Sequence, residues 1–341
     1  MNKPATKDSF YSKNYKKQLA EEARFWGQIS KSKRDKLPKK ALKNILRFIG
    51  LYSSIEENPG VDYRNEMLFN TINVIWGRKE LETIFKIASS GKKKRVLELG
   101  CGSGWLSIEI ARRNKKVQID AIDIAKDSIK RGKKFYLQHQ KDLGKINFIV
   151  EDLNRVILKK SNYNVIVVFG ALHHVLRLER LLKEIKKSLK PNGYLVAYED
   201  NGLCKRDRDR LAIILYPLLL FKKIIIKKSI RIKSLKKEVE RMYEWSEIRK
   251  SPFEGVMKGH SIVEPISKNL EIKSIKYIRC MIDGLLRNAS MPVLRLFSNP
   301  LKILDKFLLS IGVLSEGRTI LIVARKNEER LIEKRTLFHK I

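Results

Sequence analysis

The 341-residue chain sets 73 lysines and arginines against 37 aspartates and glutamates, a formal net charge of +36, with 43% hydrophobic residues. It is long enough to bury a sizeable core with additions, and its positive field favours polyanions: nucleic acid, anionic lipid or a phosphorylated substrate. Three scattered cysteines, Cys101, Cys204 and Cys280, form no C-x-x-C pair, and residues 1–8 lack the apolar core of a signal peptide; neither a disulfide framework nor a metal site is expected, and a reducing cytoplasm is.

Residues 1–90 lack strand-like alternation and read as helical. Residues 15–26 place Leu19, Ala20, Ala23, Phe25 and Trp26 at amphipathic spacing; residues 31–40 read as a basic, Pro-containing linker, and residues 67–87 as a helix leading into the core. Arg95-Val96-Leu97 predicts a short buried strand, and residues 105–113 carry apolar residues at helical spacing. Between them lies Glu98-Leu99-Gly100-Cys101-Gly102-Ser103-Gly104. A strand, a glycine turn and a helix in that order build a nucleotide-binding unit, the glycines letting the backbone approach a ligand closely. The spacing is not that of a dinucleotide fingerprint, because Trp105 stands where G-x-G-x-x-G needs its last glycine. The acid Glu98 would repel a pyrophosphate but suits a cationic ligand group.

This E-x-G-x-G-x-G pattern resembles motif I of the class I methyltransferases that use S-adenosylmethionine (SAM), a cofactor with an ammonium and a sulfonium and no phosphate. The resemblance implies Glu98, Gly100, Gly102 and Gly104 as cofactor-binding positions. Residues 117–123 predict a second strand ending in Asp123, about 20 residues after the turn, where a carboxylate can accept from both ribose hydroxyls; the alternative is a cap on a helix over residues 125–134. Ile124 joins the cofactor set beside Asp123. Residues 146–153 predict a third strand ending in acids. In the family an acid here accepts the adenine amino group and the next backbone N–H meets the ring, which implies Asp152 and Leu153, with Glu151 as a competing register.

Residues 163–169 form a continuous apolar strand that opens into Gly170-Ala171-Leu172-His173-His174. A helix over 178–189, the turn Lys190-Pro191-Asn192-Gly193 and a strand over 194–198 follow. This series is similar to the small-molecule branch of the family, with its LHH loop and LKPGG-like turn, here LKPNG. The resemblance covers Lys94 to about Asp200. It implies Phe169 and Gly170 in the cofactor wall and an α/β, Rossmann-like fold, a seven-stranded, mostly parallel sheet in the order 3-2-1-4-5-7-6. It also implies N-terminal helices closing over the cofactor, with Trp26, Tyr63 and Arg64 as lid candidates; plain packing of those helices on the sheet is the alternative.

Residues 205–210 are densely charged and lead into an 11-residue apolar run, 211–221, containing Pro217 and followed by lysine pairs. The run is too short to span a bilayer, which takes roughly 20 residues. It suits an element lying in an anionic membrane interface, or a buried cap over a substrate pocket. Ser251-Pro252-Phe253-Glu254, with Gly255, Gly259 and His260, weakly resembles patches near the family's acceptor site. Residues 272–280 and 319–326 predict the sixth and seventh strands. The chain thus divides into a helical extension (1–90), a SAM-binding core (91–202), a basic apolar cap (203–265), the rest of the core (266–326) and a charged, helical tail (327–341).

Methyl transfer is an in-line displacement, and a hydroxyl acceptor needs a base. His173 and His174 stand at the carboxyl end of the fourth strand, where an α/β sheet places its crevice. One of them is the candidate base, with Glu199, Asp200, Asn201 and His260 as alternatives. The loop lacks the acid or asparagine, prolines and aromatic expected for methylation of exocyclic base nitrogens, and no Pro-Cys motif is present. The expected function is therefore transfer of the SAM methyl group to a small-molecule acceptor, at a hydroxyl oxygen ahead of carbon or nitrogen, with a lipid-linked acceptor and a cytoplasmic protein lying peripherally on the inner face of an anionic membrane. An RNA methyltransferase using the basic surface, or a membrane-associated SAM-binding protein without turnover, are the competing readings.

Overall fold

The computed structural model describes residues 13–32, 78–91, 93–200, 206–207, 209–211, 213–214, 217, 253, 262–279, 291–315 and 319–326. Helices α1 (Lys13–Ser32) and α2 (Arg78–Ser89) precede β1 (Arg95–Leu99), α3 (Trp105–Arg113), β2 (Gln118–Asp123), α4 (Lys126–His139), β3 (Lys145–Val150) and β4 (Tyr163–Phe169). Then come α5 (Leu178–Ser188), β5 (Leu189–Asp200), α6 (Val263–Asn269), β6 (Glu271–Arg279), α7 (Met291–Ser310) and β7 (Thr319–Arg325).

The seven strands form one sheet in the expected order, β3-β2-β1-β4-β5-β7-β6. The first five are parallel, and β7 runs antiparallel between β5 and β6. A parallel sheet must be covered on both faces, and the period-two alternation of its side chains supplies two separate cores. Val96, Val165, Val167, Val196, Leu321 and Val323 point to one face, under α2, α3 and α4. Leu97, Leu99, Ile166, Val168, Leu195, Ile320 and Ile322 point to the other, under α5 and α6. Helix α5 buries Leu178, Leu181, Leu182 and Ile185, spacings of three and four that make one apolar stripe.

Several boundaries differ from expectation: α1 runs to Ser32, into the expected linker at 31–40, and β3 ends at Val150, before the acids. Helix α4 runs to His139 rather than residue 134. Strand β5 starts at Leu189, before the expected turn, because Leu189 already pairs with Tyr163; the register then shifts so that Val165 pairs with Tyr194. Asn192 takes φ 61 inside this irregularity, where its side chain accepts from Arg325. Residues Tyr63, Arg64, Asn201 and His260, the linker at 33–40, most of the apolar run and the tail from 327 lie outside the described residues.

Candidate active site

The order 3-2-1-4 makes the chain leave β1 and β4 in opposite directions, so their carboxyl ends flank the switch point at which open α/β sheets hold ligands. The glycine turn follows β1 there. Gly100 takes φ +72, and a Cβ on it would lie 2.2 Å from the Ala171 Cβ, so only glycine lets the turn pass the loop after β4. Gly102 and Gly104 also take positive φ. Gly170, after β4, takes φ +65, yet a Cβ there would meet no atom within 4 Å. Its requirement is conformational, and it faces open space. Beside it Phe169 stacks on Tyr198, centroids 4.6 Å apart, and meets the edge of Trp105.

Asp123, at the end of β2, ties this turn down. Its Oδ2 accepts from the Gly102 N–H at 2.8 Å and its Oδ1 from the Ala125 N–H at 2.7 Å. Desolvation pushes its carboxyl above the usual range, and the N–H groups of Ala125, Gly102 and Ile124 pull it back down. Asp123 thus bonds the N-cap residue Ala125 and not the first turn of α4, which has no side-chain cap, and each carboxylate oxygen keeps a second acceptor site suited to a hydroxyl. Ile124 is half-buried beside it. Glu98 is buried and turned behind the turn, where its Oε2 accepts from the Ser107 N–H at 3.0 Å and from the Ser107 hydroxyl. It braces α3 against β1.

After β3, Asp152 is the acid with partners, while Glu151 is exposed. Asp152 Oδ1 accepts from the Asn154 N–H at 2.9 Å, and Oδ2 from the Tyr15 hydroxyl at 2.6 Å. Burial, and then the hydrogen bond to Asp152, hold the Tyr15 phenol above its ordinary value, so it remains a donor. Leu153 is half-buried against the second core.

The loop after β4 is organised by Glu199 of β5, which is fully buried. Its Oε1 accepts from the Ala171 and Leu172 N–H groups at 2.9 and 3.0 Å, and its Oε2 lies 2.9 Å from His173 Nδ1. His174 faces α1 instead: its Nδ1 is 3.5 Å from Glu22 Oε1, and its ring meets Trp26 edge-on at 5.0 Å. Glu22 is itself buried and accepts the Trp26 Nε1–H at 2.7 Å. Burial, reinforced by His173, pushes the His174 imidazole well below its ordinary value and keeps it neutral. His173 is thus hydrogen-bonded to its carboxylate, whereas the neutral His174 lies 3.5 Å from Glu22.

Glu22 and Tyr15 are functional candidates that sequence reasoning missed. The available signal was an acid, Glu22, on the apolar face of the amphipathic helix one turn before Trp26. Phe253 packs on this helix, its ring 6.0 Å from that of Tyr15. Among the described residues no three or more His, Cys, Asp or Glu side chains cluster as metal ligands. Asp200 lies at the end of β5 opposite Thr319.

Residues 90–248 match the family model of the methyltransferase domain. These residues form a class I SAM-dependent methyltransferase domain. Its cofactor is S-adenosylmethionine. The methyltransferase domain is 27% identical, over 30% of this chain and 38% of the other, to the malonyl-[acyl-carrier protein] O-methyltransferase of Halalkalibacterium halodurans. It is 30% identical, over 42% and 60%, to the ubiquinone biosynthesis O-methyltransferase of Pelagibacter ubique. The chain thus spans less than two thirds of the length of these relatives. The geranyl diphosphate C-methyltransferase of Streptomyces coelicolor A3(2) shares the fold at TM-score 0.52 and 13% identity, over 96% of this chain and 100% of that one. The site residues suit the cofactor: open space at Gly170, close-approach glycines, and a carboxylate at Asp123 placed for hydroxyl groups.

Proposed function

We propose that the chain methylates a hydroxyl oxygen of a small acceptor, lipid-linked and met at the inner face of an anionic membrane. The observation that carries the chemistry is the pairing of His173 with Glu199 and of His174 with Glu22 at the carboxyl end of β4. That two relatives are named O-methyltransferases supports the choice of oxygen.

Bound SAM supplies an already activated methyl group, so the protein's share is positioning, exclusion of water and removal of a proton. The backbone of Gly100, Gly102 and Gly104, with Phe169 and Gly170, would form the cofactor wall. Asp123 would take the ribose hydroxyls, Asp152 and Leu153 the adenine, and Glu98 would stabilise the cationic end from behind the turn. With Glu199 ionised, His173 donates from Nδ1, which leaves Nε2 as the acceptor for the substrate hydroxyl proton. The buried Glu199 carboxylate then stabilises the imidazolium. His174, kept neutral and packed against Trp26 and Glu22, would form the wall beside His173.

The test uses SAM labelled at the methyl group with a membrane lipid extract. Wild-type protein is expected to label the lipid fraction. Replacing His173 and His174 together by Ala should abolish labelling while leaving binding of S-adenosylhomocysteine (SAH) intact. Unchanged labelling would remove both histidines from proton transfer.

A further inference from the structure

Ile303 and Phe307 on α7, and Ile311 just past its end, repeat every fourth residue and are 68%, 54% and 53% exposed; the Ile311 N–H bonds the Phe307 carbonyl at 3.0 Å, so Ile311 keeps the helical register. Single exposed apolar residues are ordinary, but this spacing lines three of them into one ridge, about 12 Å long at the helical rise. Lys306 is exposed one position behind Phe307, while Lys302 is half-buried toward Glu80 of α2.

The ridge does not stand alone. Asp207 is buried and accepts from the Ser315 N–H at 2.9 Å and its hydroxyl at 2.7 Å, while Arg210 donates to the carbonyls of Gly312 and Val313 at 3.3 and 3.0 Å. These bonds fasten the helical residues Asp207 and Arg210 to the turn after α7. Beside them Leu211 is buried, but Ile213 is 74% exposed and Pro217 is exposed as well, again four residues apart.

The sheet register puts this junction on the rim of the active site. Strand β7 is antiparallel to β5, and Thr319 lies opposite Asp200. Thr319 therefore sits at the carboxyl edge of β5, one residue from the Glu199 that orients His173, and only four positions after Ser315.

We propose that the α7 ridge, with Ile213 and Pro217 beside it, forms the surface by which the protein lies on an anionic lipid bilayer, with the active-site rim facing the lipid. The inference rests on the lipid-linked acceptor proposed above and names the surface that meets it. Apolar side chains edged by an ammonium group, here that of Lys306, are the pattern of an interfacial element, the chains entering the acyl boundary and the ammonium remaining at the headgroups. The net charge of +36 favours an anionic surface over a second copy, which would bring two strongly cationic bodies together.

The test is co-sedimentation of the full chain with vesicles of phosphatidylcholine, with and without phosphatidylglycerol, alongside calorimetry with SAH. Wild-type protein should bind the anionic vesicles. The triple variant Ile303→Ser, Phe307→Ser, Ile311→Ser should bind them at least about tenfold more weakly, and retain SAH binding as proof of fold. Equal vesicle binding by the triple variant would overturn the proposal. So would a concentration-dependent dimer lost only in that variant, which would assign the ridge to a second copy. Displacement by RNA of wild type and variant alike from vesicles would assign the charge to nucleic acid and overturn it too. Vesicle binding through the ridge without SAH binding would uphold the surface while removing the methyltransferase reading.

Discussion

Glu199 and Glu22 are buried carboxylates with different tasks. Glu199 satisfies two backbone N–H groups and an imidazole, so it shapes the loop as well as orienting His173. Glu22 arrives from a helix about 150 residues away in sequence and meets His174 at 3.5 Å. The depressed basicity of His174 has a sign that can be checked. Its neutral form is favoured in the folded state, so the folded chain holds fewer protons than the unfolded chain just below the ordinary value of 6.5. Folding stability should therefore fall as pH drops below 6.5 toward the folded value. Because His173 contributes to the depression, His173→Ala should raise the His174 midpoint back toward 6.5 in an imidazole NMR titration. A lower or unmoved midpoint would show that the two rings are not coupled.

At the scale of elements, α5 shows how one stripe holds a face of the sheet. Leu181, Leu182 and Ile185 are fully buried against Ile166, Val168 and Leu195. Leu182→Ala should cost about 2–5 kcal/mol, read as a lower denaturant midpoint at unchanged slope; a loss under about 1 kcal/mol would mean the face repacks. This stripe was legible in the sequence because its periodicity is local. So were the strand–turn–helix after Arg95 and the strand order implied by the family resemblance. The early start of β5 was not. Pro191 and Asn192-Gly193 read as a turn, and only pairing of Leu189 with Tyr163 extends the strand across them. The approach of α1 was equally hidden, since Tyr15 meets Asp152 across 137 positions and Phe253 donates to Glu22 across 231. An amphipathic pattern shows that a helix has a buried face; it does not show what lies beneath it.

In the whole molecule, helix α1 crosses the carboxyl edge of the sheet, from Asp152 after β3 to His174 after β4. The proposed cofactor residues, the two histidine–carboxylate pairs and the α7 rim thus share one edge. Local motifs pointed to the proposed cofactor half of that edge, and long-range packing built the proposed acceptor half. The domain's dependence on SAM is the claim on which every later step stands, and Asp123 is the residue that links the glycine turn to the proposed ribose position. Calorimetric titration of SAH into wild-type and Asp123→Ala protein tests it most directly. Hydrogen bonds to a charged group contribute about 1.5–3 kcal/mol each, so the variant should lose at least about tenfold in affinity while its thermal unfolding stays cooperative. Equal affinity in the two proteins, or no binding by the wild type, would contradict the account.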